Sequence, residues 1–158
     1  MIHHRSGSGI TDSPAICRRA QPKGRMLRVA LRELCGVRSG DKGDTSDVTL
    51  FADNREVYNL LLSQVSADAV KRHFGSMVRG DVTRYEAPNV LGLKFVLTGA
   101  LGGGGALSLR SDNLGKTLGG ALLRMTVEAP NELVIASPRY LRRPPSDAAA
   151  LVAGGGQQ

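Results

Sequence analysis

Val48–Phe74, VTLFADNREVYNLLLSQVSADAVKRHF, changes its hydrophobic rhythm partway along. Val48, Leu50 and Ala52 alternate with more polar neighbours, the period of a half-buried strand. Asp53 to Glu56 then forms a D-x-x-E cap. It opens a helix with Val57, Leu60, Leu61 and Val65 on its apolar face. Ser66 caps a second helix at once, with Ala67, Val70, Phe74 and Met77 on one side; Gly75 and Gly80 stop it. Two successive helices break the strict alternation of a doubly wound sheet, so this stretch predicts an α+β fold.

Working outward, the same periods recur. Leu27, Val29 and Leu31 alternate in a first strand. Val82 to Glu86 is a strand ended by Pro88, and Leu91, Leu93, Phe95 and Leu97 alternate in the next. Leu114, Leu118, Ala121, Leu122 and Met125 lie on one face of a third helix. Gly115 and Gly119 lower its intrinsic stability but permit close approach to a neighbour. Thr126 to Glu128 and Leu133 to Ala136 read as closing strands. The expected order is β-β-α-α-β-β-α-β, an α+β sandwich with a mixed or antiparallel sheet and helices mainly on one face.

The flanks have no such rhythm. Residues 1–25 are rich in Ser, Gly, Pro and Arg and read as a flexible extension. Residues 137–158 read as a Pro/Arg-rich and Gly-rich tail, leaving 26–136 as the domain. The chain has 158 residues, 41% hydrophobic and 4% aromatic, which suits one modest aliphatic core. No apolar run is long enough for a membrane span. The formal net charge is +7. The two flanks carry most of it, and the central segment is nearly neutral. A dedicated nucleic-acid binder carries its basic stripe on the folded face, so no nucleic-acid partner is expected. Cys17 and Cys35 make no disulfide framework, residues 1–25 lack the apolar core of a secretory signal, and a reduced cytoplasmic setting is the expectation.

Chemistry concentrates in residues 38–47: Arg38, Ser39, Gly40, Asp41, Lys42, Gly43, Asp44, Thr45, Ser46 and Asp47. Read as a loop between two strands, this segment can turn tightly at Gly40 and Gly43 and aim several amides at one point. One reading is a connecting turn held by Asx and hydroxyl hydrogen bonds, with Arg38 and Lys42 paired to the aspartates. A second is an anion cradle of Arg38, Ser39, Lys42 and Thr45. A third is a hard-cation site from Asp41, Asp44 and Asp47, although the EF-hand spacing is absent. The pair Ser39-x-x-Lys42 and Ser111-Asp112-Asn113 also match two elements of penicillin-recognising enzymes. The third element fails at Leu118, and S-x-x-K there should open a helix.

A run of glycines, Gly99-Ala100-Leu101-Gly102-Gly103-Gly104-Gly105, follows a strand. Arg110 stands where a P-loop needs its first glycine before Gly115-Lys116-Thr117, so that motif fails. The run is either a mobile linker or an amide-rich loop that can approach a phosphate. Both polar segments lie at strand ends and are poorly suited to the core. They are expected to meet in one rim. His73 reads as a packing or surface residue. No zinc-type cluster is visible, and the reading assigns no metal and no cofactor.

Arg38-Ser-Gly-Asp-Lys-Gly-Asp-Thr45 resembles the hallmark of the AtuA-like domain, found at the C-terminus of acyclic terpene utilisation proteins and as small standalone proteins. Arg84-Tyr85-Glu86 with Pro88-Asn89, Phe95-Val96-Leu97, Gly99–Gly105, Ser108-Leu109-Arg110 and Gly115-Lys116 extend the resemblance over about residues 27–130. It implies a ferredoxin-like fold and a role in catabolism of acyclic terpenes or branched acyl-CoA compounds. The implied ligand is an acyl-CoA or carboxylate, bound by Arg38 to Thr45 and Gly102 to Gly105. The implied partner is a separate large AtuA-like chain. A second copy of the chain is expected on other grounds, since a sheet covered by helices on one face leaves its other face to be buried, which makes an oligomerisation or partner-docking domain the alternative reading. Two positions depart from the family's pattern. Asp47 and Lys94 stand where the family usually or often has asparagine.

Overall fold

The computed structural model describes residues 24–140 except 106, 109 and 110. Residues 1–23 of the expected extension and 141–158 of the expected tail lie outside the described residues. Strand β1 is Met26–Ala30, β2 Cys35–Lys42 and β3 Thr45–Ala52; helices α1 (Arg55–Gln64) and α2 (Ala67–Phe74) follow. Then come β4 (Val82–Ala87), β5 (Gly92–Leu97), α3 (Leu118–Leu122), β6 (Thr126–Pro130) and α4 (Asn131–Ile135). The fold is α+β, as the rhythm of Val48–Phe74 predicts.

The strands form two antiparallel sheets rather than one: a four-stranded sheet in the order β2-β3-β5-β4 and a ribbon of β1 with β6. Strand alternation gives the larger sheet two unlike faces. Val48 and Leu50 of β3 and Leu93, Phe95 and Leu97 of β5 are fully buried on one face and join the core with Val57, Leu61, Val70 and Phe74 of the first two helices. On the other face Arg38, Lys42 and Phe51 are exposed, with Thr49 and Lys94 half-buried. The ribbon is tied to the helical layer by the Gln64 side chain. Its Nε2 donates to Glu128 O at 2.6 Å and its Oε1 accepts from Glu128 N at 2.9 Å.

Local chemistry explains the boundaries. Ser66 caps α2 as expected, accepting from Ala69 N at 3.1 Å. The cap of α1 is Asn54, which accepts from Val57 N at 2.8 Å, not Asp53. Asp53 is held instead by Arg139 Nε at 2.9 Å. Leu133 to Ala136 is not a strand: α4 follows Pro130, whose fixed φ suits a helix start. The third helix is one short piece, and Leu114 lies before it, 39% exposed. Gly115, at φ +64°, interrupts the backbone between them. Met77 falls in a 3-10 turn past α2 and is 45% exposed, so it does not share the buried face of Phe74.

Candidate functional site

Residues 38–47 are not a loop. They are the end of β2, a two-residue turn and the start of β3, with Lys42 opposite Thr45 as the closing pair. Gly43 occupies the first turn position at φ +65°, where a tight hairpin of the II′ kind takes glycine. Polar side chains did not prevent strand formation, because pairing satisfies the backbone whatever the side chains are.

Pairing divides the motif between the faces. Ser39 and Asp41 fall on the helix side, in phase with Val37; Arg38, Gly40, Lys42, Thr45 and Asp47 fall on the open side. Ser39 Oγ donates to Lys116 O at 2.9 Å and accepts from Gly119 N at 3.2 Å, which fastens the start of α3 to β2. The fully buried Ser46 donates from Oγ to Gly40 O at 2.8 Å. A cradle formed by Ser39 together with Lys42 and Thr45 is therefore not what the hairpin builds. The S-x-x-K reading fails for the same reason, since Ser39 and Lys42 lie on opposite faces of a strand.

The glycine run does meet the hairpin. Asp44 Oδ1 accepts from Leu101 N at 3.1 Å and from Gly103 N at 2.7 Å, and Asp44 O accepts from Ala100 N at 3.0 Å. Gly104 packs so closely on the turn that a Cβ there would lie 2.5 Å from Gly43 O. Converging amides from a glycine-rich loop are an anion site, and here the anion is the protein's own Asp44. The three aspartates do not converge on a cation: Asp44 is bound by amides, and Asp41 and Asp47 lie on opposite faces. Among the described residues no group of three His, Cys, Asp or Glu is placed to hold a metal ion.

A shallow depression of about 460 Å³ is lined by Arg38, Gly40, Lys42, Asp47, Thr49 and Phe51 of the open face, together with Ser39 and Asp41, which lie between them along β2. Asp47 pairs across the sheet with Lys94 at 3.2 Å. Two positions remote in sequence are thus partners in space. The pairing compensates the charge of Asp47 without drawing on Arg38 or Lys42. Neither of those cations is in an ion pair among the described residues. Thr49 and Phe51 were missed by reading the motif alone. The available signal was that Phe51 stands out of phase with Val48, Leu50 and Ala52.

Other titratable groups are structural. His73 Nε2 lies 2.8 Å from Ala121 O and packs edge-on against Phe74. Burial pushes the Cys35 thiol up to about 12, with Arg139 opposing and Asp53 adding to the rise, so it is no nucleophile at neutral pH. Partial burial raises the Asp112 carboxyl. The Thr117 hydroxyl, the Thr117 and Lys116 amides and the Lys116 charge outweigh it, leaving Asp112 below its ordinary value. Those contacts form the turn that leads into α3.

A family model described as the AtuA ferredoxin-like domain matches residues 29–128, from within β1 to within β6. No curated protein and no solved structure matches the chain.

Proposed function

The chain belongs to the AtuA ferredoxin-like domain family, and from that premise we propose that it acts as an accessory, ligand-binding domain for an anion on the open sheet face. The observation that carries this reading is the placement of Arg38 and Lys42. Both are exposed, both line one depression, and neither is neutralised by an ion pair among the described residues. Asp44, Ser39 and Gly102 to Gly105 then form the frame that holds the hairpin rigid, while Arg38, Lys42, Thr45 and Thr49 meet the ligand. The ligand class suggested by the family is an acyl-CoA or carboxylate from acyclic terpene or branched-chain catabolism, delivered to or received from a larger partner chain.

A thermal-shift panel of CoA thioesters, organic carboxylates and phosphates tests it. A ligand at 100 times its Kd stabilises the folded state by about 2.7 kcal/mol, a shift of several degrees. Arg38→Ala/Lys42→Ala should abolish the shift without lowering the unliganded melting temperature by a similar amount. No shift of the wild-type protein across the panel would sink the reading. Mg²⁺, Mn²⁺, Ca²⁺ and chelator belong in the same panel and should leave the melting temperature unchanged.

A second reading is that the open face docks a protein. The exposure of Tyr85 and Val90, 56% and 55%, favours it.

A further inference from the structure

The depression holds an aromatic ring as well as cations. Phe51 is paired with Gly36 on one neighbouring strand and Gly92 on the other, so no side chain stands beside it at either position. What fills those places comes from elsewhere in the chain. A Cβ on Gly36 would lie 3.0 Å from Arg139 Nη2, and one on Gly92 would lie 3.3 Å from Val90 Cγ2. The Arg139 guanidinium, anchored on Asp53 at 2.9 Å, and a Val90 methyl thus lie over the two glycines that pair with Phe51. The residue remains 38% exposed on the phase of β3 that faces away from the core.

The next row on this face is Arg38–Thr49–Lys94. At about 3.3 Å per residue, it runs about 7 Å from the row of Phe51, and Lys42 lies a further ~13 Å along β2. A base and its own 5′-phosphate are separated by a distance like the first of these. We propose that the ligand of this face is a nucleotide. Its base stacks on Phe51 beside the Arg139 guanidinium, its phosphate is met by Arg38, and Lys42 takes the far anionic end of the molecule. This rests on the anion-binding reading above and names its ligand class.

One nucleotide unit fits better than a strand of them. Tyr85, an exposed aromatic on the same face, lies two strands away on β4 and outside the depression. The near-neutral central segment offers little charge for a polyphosphate backbone, whose binding scales with the phosphates neutralised.

The test is calorimetric titration of the full chain with ADP, inorganic pyrophosphate and a single-stranded oligothymidylate. Wild type, Phe51→Leu, Arg38→Ala and Tyr85→Ala are compared. Phe51→Leu keeps the apolar volume and removes the ring. ADP should bind wild type roughly fivefold or more tighter than pyrophosphate, the low end of one base–aromatic stack. Phe51→Leu should erase that difference while leaving pyrophosphate binding unchanged. Arg38→Ala should weaken both, and Tyr85→Ala neither. Proton NMR of bound ADP gives a readout that needs no variant: stacking on Phe51 moves the base protons upfield. Equal binding of ADP and pyrophosphate with no upfield shift overturns the nucleotide and leaves the anion reading standing. No binding of any anion removes both. Oligothymidylate binding tenfold tighter than ADP, with Tyr85→Ala as costly as Phe51→Leu, overturns the proposal in favour of a strand.

Discussion

Asp44 is the residue on which the hairpin and the glycine loop both depend. Its carboxylate replaces water as partner of two amides, and its carbonyl takes a third. Charge-assisted hydrogen bonds contribute more than neutral ones, and removing the acceptor strands their donors. Asp44→Ala should therefore cost about 2 kcal/mol in urea unfolding, with Asp44→Asn between it and wild type. An unaltered midpoint would show that the loop holds its place without Asp44. Asp112 makes a prediction about pH. Its folded pKa is lowered from 3.8, so its contribution is fully present well above that value. It is lost as pH falls through the folded pKa. The stability gap between wild type and Asp112→Ala should be constant near neutrality and narrow below about pH 4; a gap that widens in acid would reverse the sign.

At the scale of elements, two glycines set how closely the loop and α3 approach the hairpin. Gly104 has φ +77° and Gly115 φ +64°, and a Cβ would lie 2.5 Å from Gly43 O in the first case and 2.8 Å from Ser46 Oγ in the second. Each alanine substitution adds left-handed strain to a steric overlap, so both should destabilise by about 1–3 kcal/mol. Gly120 lies in α3 with nothing within 4 Å of its would-be Cβ. There alanine should stabilise by roughly 0.5–1 kcal/mol through helix propensity. Thermal melts of the three variants check the contrast: opposite signs are expected, and a uniform loss would mean that close approach is not what these positions enforce.

At the scale of the whole molecule, one face of the four-stranded sheet is covered by helices and the other carries exposed Arg38, Lys42 and Phe51. If that face takes a small ligand, Phe51→Glu should remove binding and leave the sedimentation mass unchanged; a fall in mass assigns the face to a protein partner instead. The α+β class and the cap at Ser66 were legible in the sequence, because they depend on spacing over a few residues. So was the meeting of the two polar segments, since strand ends must shed residues that cannot enter a core. The division of Ser39 from Lys42 was not legible. It follows from the register of a hairpin whose polar residues, read locally, look like a loop. Nor was the identity of the bound anion, because the amides that hold Asp44 come from residues 57 and 59 positions away. The sequence by itself determined which segments could be buried, since burial preference is a property of each side chain and its period. Only the tertiary structure decided which face each motif residue serves, since facing is a property of paired backbones and no single segment contains it.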